Sequence, residues 1–161
     1  MSVAASGNIS LGIDKLRTLI AGSTNFQSWT GTANSTAALA RVYTIGSTSV
    51  TRPCAIVRWL SLRIKRGGFV SGILEIMFEA ATSSAYQMTG AEASDFTSAA
   101  YEFTNSIGAI LHDMSLNSEA GGELFIPSSG LEIVTGLARS NITEQTDLHQ
   151  WHVRVPYGLN N

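Results

Sequence analysis

Three histidines, one cysteine and twelve carboxylates are the side chains on which hydrolysis, metal binding or thiol chemistry would have to rest. Their spacing argues against each. His149 and His152 stand three apart on a predicted strand, which sends them to opposite faces, whereas a metal pair on a strand needs a spacing of two. His112 is followed by Asp113 in a predicted helix, where adjacent positions do not face each other. One cysteine and three scattered histidines do not make a zinc site. Glu75 and Glu79 share one face of a predicted strand, about 13 Å apart at ~3.3 Å per residue, too wide for the paired carboxylates of a glycosidase. There is no Gly-x-Ser-x-Gly elbow, and Gly67, Gly68 and Gly72 are not followed by the Gly-Lys-Ser/Thr and helix of a phosphate loop. The reading is of a chain without catalytic machinery and with no cofactor.

Charge is more informative. Residues 1–70 hold eight Lys/Arg against Asp14 alone, a charge of +7; residues 71–161 hold Arg139 and Arg154 against eleven acids, a charge of −9. Two readings follow: the halves neutralise each other within one fold, or copies meet positive face to negative face, as a head-to-tail ring would. Arg63, Lys65 and Arg66 form a basic finger at a predicted hairpin tip, with Arg58 and Trp59 behind it. Such a finger can grip phosphates. The overall pI near 5.9 and the lack of an aromatic ladder limit that to a non-specific contact with passing DNA. These three residues are the candidate binding site, as subunit-interface or lumen contacts.

The elements that would position them follow from periodicity. A helix is expected from about Ser10, with Ile13, Leu16 and Ile20 at helical spacing and Gly22 as its stop. A second helical turn has Thr24 and Gln27 as its capping box and Phe26 and Trp29 as anchors, and 36–40 supplies one more turn. A first strand is predicted over 41–45. The clearest β signal runs from Cys54 to Ala80. Ile56, Leu60, Leu62 and Ile64 share one parity of its first arm, with Arg58 interrupting the apolar character, and Leu74, Ile76, Phe78 and Ala80 share one parity of its second. Lys65-Arg66-Gly67-Gly68 reverses the chain between them.

The strongest helix is marked by Phe96, Ala100, Phe103, Ile107, Ile110 or Leu111, and Met114, with Thr89 and Glu92 as its cap. Gly108 in its middle implies close packing against a strand. Two last strands are predicted around Leu131–Leu137 and Trp151–Val155, the second ending before Pro156, with a polar, mobile loop over 138–147 between them.

No repeat or low-complexity tract divides the 161 residues, so a single α+β domain is expected, with residues 1–9 as a flexible arm. Its sheet should be mainly antiparallel, with a long central hairpin and the helices on one face. No apolar run approaches the ~20 residues that span a bilayer, and the start lacks a basic flank followed by an apolar stretch, which points to a cytoplasm or a particle assembled there, with no membrane partner. Cys54 reads as a small buried apolar side chain. The sequons at Asn8, Asn34 and Asn141 read as coincidences of a Ser/Thr-rich chain.

Several segments carry a resemblance. Leu16-Arg-Thr-Leu-Ile-Ala21 with Phe26-Gln-Ser-Trp29, then Ala38-Leu-Ala-Arg-Val-Tyr43, Arg52-Pro-Cys-Ala-Ile-Val57, Gly67-Gly-Phe-Val70 and the ending Trp151-His-Val-Arg-Val-Pro-Tyr-Gly158 look like small phage morphogenesis proteins. In length and element order nearly the whole chain resembles the tail terminator (tail completion) proteins of long-tailed bacteriophages. That resemblance implies a structural virion protein, assembled in the host cytoplasm. It would form a homo-oligomeric, hexameric ring on the end of the tail tube, meeting the tail tube protein on one side and the neck or connector protein on the other. The alternatives are a head–tail connector or neck ring of the same particle, and, from another class, a small enzyme whose site is not recognised.

Overall fold

The computed structural model describes residues 2–47, 49–64, 66, 70–81, 106–114, 133–139 and 147–157. Helix α1 (Ser2–Gly22) is followed by α2 (Thr24–Thr30), α3 (Ser35–Leu39), β1 (Val42–Thr44), β2 (Cys54–Ile64) and β3 (Val70–Ala81). A helix over residues 106–114 (α4), β4 (Ile133–Arg139) and β5 (Asp147–Tyr157) complete the order. The strands form one sheet in the order β1-β2-β3-β5-β4. An α+β domain is the result, but the sheet is mixed. The β2–β3, β3–β5 and β4–β5 pairs are antiparallel, whereas β1 lies parallel to β2, with Val42 opposite Ala55 and Thr44 opposite Val57. A parallel neighbour normally needs a long crossover. Here β1 is only three residues long, so the chain has to retrace only about 10 Å before β2 begins.

One apolar cluster holds the layers together. Leu16 and Ile20 of α1, Phe26 of α2, Ala38 of α3 and Ile107, Ile110 and Met114 of α4 are buried with Val57, Leu74, Ile76, Phe78, Val153 and Val155 of the sheet. The core-facing residues of β3 are Leu74, Ile76, Phe78 and Ala80, all of one parity, so the described helices pack on a single face. Phe26, Trp29 and Phe78 meet as a triad of rings with centroids 6.0–6.4 Å apart. Midway along α1, a Cβ on Gly12 would stand 2.8 Å from the Trp59 ring and 3.3 Å from that of Tyr157. The helix therefore lies directly on this edge-to-face aromatic pair, and only glycine fits.

Several expectations shift. α1 runs from Ser2, eight residues before the start expected near Ser10. The cap of α2 is Ser23, one residue before the expected Thr24. Its hydroxyl accepts from the Phe26 N–H and donates to Asp113 of α4 at 2.7 Å. Asn34 caps α3 by accepting from the Ala37 N–H, which gives one of the sequons a structural use. The helix stripe Ile107, Ile110 and Met114 is buried as its spacing predicts, but Gly108 is exposed and a Cβ there would meet nothing within 4 Å, so close packing does not explain it. The part of that helix expected before residue 106, with its cap, lies outside the described residues. β4 reaches Arg139 and β5 opens at Asp147, so positions 138, 139 and 147 of the predicted 138–147 loop are strand, and 140–146 lie outside the described residues. Pro156 sits inside β5 opposite Ile73 rather than after it.

Asp113 clamps α4 to the start of α2. One carboxylate oxygen accepts from the Ser23 hydroxyl, the Asn25 N–H and the Asn25 amide, and the Ser23 bond foremost holds this carboxyl below its ordinary range. A lowered native pKa contributes stability that is fully present above the unfolded value and is lost as pH falls through the native one. Asp113→Asn should therefore melt lower than the wild type at neutral pH, and the gap should close as the pH drops below about 4. Thermal melts of both proteins across that range check it; a gap independent of pH would remove the carboxylate's charge from the account.

Candidate functional site

The face of the sheet opposite the described helices is built by the other parity of β2, β3 and β5. Register sets Cys54 beside Glu79 and Gln150, Ile56 beside Met77 and His152, and Arg58 beside Glu75 and Arg154. Glu75 and Glu79 are only 3% and 5% exposed. A buried carboxylate is costly unless paired and hydrogen-bonded. Arg58 supplies the partner for Glu75, its Nε donating to Oε1 at 2.7 Å, and Arg52 supplies that for Glu79, its Nε donating to Oε2 at 3.0 Å. His152 Nδ1 lies 3.6 Å from Glu75 Oε1, His152 Nε2 lies 3.3 Å from Gln150 Oε1, and the Gln150 amide donates to Glu79 Oε1 at 2.8 Å. The contacts run unbroken from Arg58 to Arg52 across three strands.

A histidine beside a carboxylate is an arrangement that general bases use. The thiol on this face is not poised to act with it: Cys54 is buried, and burial first, with Glu79 adding to it, pushes its thiol up to about 12, far from a reactive thiolate. Among the described residues no three His, Cys, Asp or Glu side chains gather as a metal site requires. His112 is exposed on α4, and His149 stands three positions from His152 on β5, paired with Ala80 in the sheet register. The network's chemistry is cohesive. It also joins the basic and acidic parts of the chain, because Arg52 and Arg58 belong to the first and Glu75 and Glu79 to the second.

The second region is the far end of the β2–β3 hairpin. Pairing runs without a break from Cys54↔Glu79 to Trp59↔Leu74, then shifts by one residue, so that Ser61 faces Ile73 and Leu62 faces Gly72. Leu60 is the extra residue of a β-bulge. A Cβ at position 72 would lie 2.1 Å from the Ser61 carbonyl oxygen, so glycine is obligatory opposite the bulge. The bulge exchanges the faces. Up to Trp59 the core side holds Ala55, Val57 and Trp59, the reverse of the parity expected from Ile56; beyond it, Leu62 and Ile64 come to that side while Ser61 and Arg63 go to the other. All five residues from 60 to 64 are exposed, Leu60 by 38%, Leu62 by 41% and Ile64 by 56%. Of the three sequence-derived site residues, Arg63 and Arg66 are exposed here, with no partner among the described residues, and Lys65 lies outside the described residues.

The arginine–glutamate pairs were not anticipated, although the signal was present. Folding the sequence back between positions 66 and 67 sets Arg58 against Glu75. No protein-family model matches the chain, and no curated protein is significantly similar to it. No described helix is long and apolar enough to cross a membrane.

The pairing has a measurable consequence. Glu75→Gln strands the Arg58 guanidinium and should cost about 2 kcal/mol in urea unfolding, whereas replacing Arg58 and Glu75 together by leucine should recover most of that loss. Single-variant losses that simply add in the double variant would show that the two side chains do not act as a pair.

Proposed function

We propose that this chain is a structural virion protein whose copies join into a ring, hexameric on the resemblance to tail terminators, that caps a phage tail tube and joins it to the neck. The observation that carries the reading is the contrast between the two ends of one strand pair. At the base, Arg52 and Arg58 are neutralised by buried carboxylates. At the tip, Arg63 and Arg66 are presented to solvent with exposed leucine and isoleucine side chains between and behind them. An apolar centre with a charged rim is the composition of a protein–protein contact, and contact between unlike surfaces of identical subunits gives a ring where the rotation between them closes. The function is recognition and assembly, with no bond made or broken. The tail tube and neck proteins are the partners, and the DNA leaving the head meets at most a non-specific contact.

Native mass spectrometry at tens of micromolar, with and without purified tail tubes, tests the reading. A dominant hexamer, or a hexamer nucleated by tubes, is expected; a strict monomer in both conditions is incompatible with a ring. Reversing Arg63, Lys65 and Arg66 to Glu should leave the melting curve nearly unchanged, since Arg63 and Arg66 are exposed and exposed substitutions cost within about 0.5 kcal/mol. It should also lower the yield of infectious particles by about tenfold or more. Normal titres would remove these residues from the assembly surface.

A further inference from the structure

We propose that His152 is a proton-operated latch between β5 and β3. With a proton on both ring nitrogens it bridges Glu75 and Gln150; when the second proton leaves, it keeps Gln150 and lets Glu75 go. The latch does not depend on whether copies of the chain associate.

Hydrogen-bond direction is the first argument. The network runs from one carboxylate to another, Glu75 to His152 to Gln150 to Glu79, and an ionised carboxylate at each end only accepts. The Gln150 amide nitrogen donates to Glu79 Oε1 at 2.8 Å; the reversed amide would set its carbonyl oxygen against that carboxylate. Gln150 Oε1 is thereby turned to His152 Nε2, 3.3 Å away, and this nitrogen has to carry the proton of the bond. A neutral ring then has a bare Nδ1, which stands 3.6 Å from Glu75 Oε1. That distance is beyond a hydrogen bond but within ion-pair range, so the contact repels a lone pair and attracts an imidazolium. The other neutral tautomer only moves the conflict to Gln150 Oε1. Glu75 Oε1 already accepts from Arg58 Nε at 2.7 Å, which places the extra proton on the ring and not on that oxygen.

Charge is the second argument. Around the ring stand Glu75 and Glu79 of β3, Arg58 of β2 bound to Glu75, and Arg52, just before β2, bound to Glu79. Arg154 is two positions along β5, exposed and in register with Glu75, and Cys54 is in register with Glu79. β4 sets Val134 and Gly136 opposite His152 and Gln150 and adds no titratable group there. Two arginines already balance the two carboxylates. Arg58 and Arg154 therefore oppose a further cation while the bond direction demands one, so the second proton is exchangeable. The His152 side chain is 31% exposed, which lets water deliver and remove it.

Opening strands no buried charge. Glu75 keeps Arg58, and Gln150 keeps both the Nε2–H of His152 and its own bond to Glu79. This part of the β3–β5 seam is then held by the Gln150–Glu79 bond and the backbone ladder.

The test uses the full chain labelled with nitrogen-15, in which NMR of the histidine rings shows where each proton sits. Free histidine changes charge near about pH 6.5, so measurements at about pH 5.5 and about pH 8 bracket the two states. Both His152 nitrogens should be protonated at the lower pH and Nε2 alone at the higher; a proton on Nδ1 alone at the higher pH overturns the latch. In Glu75→Gln, whose amide can donate to a bare Nδ1, uptake of the second proton should need about tenfold more acid than in the wild type. An unchanged titration overturns the proposal. Amide hydrogen exchange keeps the question measurable if Glu75→Gln does not fold. After correction for the intrinsic rate, exchange along β5 of the wild type should be at least about threefold slower at the lower pH. His152→Gln, whose side chain does not titrate, should lose that difference. No difference in the wild type, or one that persists in His152→Gln, overturns the latch.

Discussion

A carboxylate taken out of water in the middle of a sheet has to be met by a cation at a fixed position, and β3 carries two of them. Glu75 and Glu79 lie four residues apart on one face, so Arg58 and Arg52 satisfy both only if β2 keeps a single register against β3. A slip of one residue would turn both acids into the helix-facing core, where Leu74, Ile76 and Phe78 now pack, and turn those three outward. Replacing such pairs by apolar side chains often leaves stability unchanged, so their effect here is on which alignment forms. β5 obeys the same restriction, because Gln150 touches Glu79 and His152 touches both Glu75 and Gln150. The polar network sets the alignment of three strands, and the apolar cluster on the other face supplies the energy of the fold.

Once that alignment is set, the position of the hairpin end follows. The regular ladder must hold through Arg58 to keep its ion pair, and through Trp59 because α1 lies on that ring at Gly12. The first place where the register can shift is therefore just beyond Trp59, and there the bulge occurs. Everything distal inherits the exchanged faces, so one residue's displacement decides which side chains the arm shows to each side.

How much of this the sequence disclosed depends on the range of the interactions. The hairpin, the buried stripe of Ile107, Ile110 and Met114, and the aromatic anchors of α2 were readable because each is written in local periodicity. The cap of α2 was misplaced by one residue because Ser23 is chosen partly by Asp113, ninety positions away. The parity of β2 was inverted because alternation from Leu60 to Ile64 was extended backwards through a bulge that no local pattern marks. Gly72, on the opposite strand, is its only trace. The parallel edge β1 depends on the path of a short connection, which periodicity does not encode. Arg63 and Arg66 were correctly expected at an exposed tip because hairpin geometry alone puts them there, whereas the ion pairs at its base required the register.

The structural division has an energetic side. An arm that binds must not lose in ordering what it gains in contact, and a loop carrying the same leucine, isoleucine and arginine side chains would lose about 1–2 kcal/mol of backbone entropy per residue on docking. Residues 61–64 are instead paired to β3 along their length, from Ser61↔Ile73 to Ile64↔Val70. β3 is in turn held by β5 and by the buried carboxylates. That end of the hairpin is thus ordered by the same network that sets the sheet, and its aliphatic side chains are held out from a fixed backbone. Neutralised arginines stand at the base of the strand pair, and at its end Arg63 and Arg66 have no partner among the described residues: charge is used internally where the register has to be fixed and left exposed where the sheet ends.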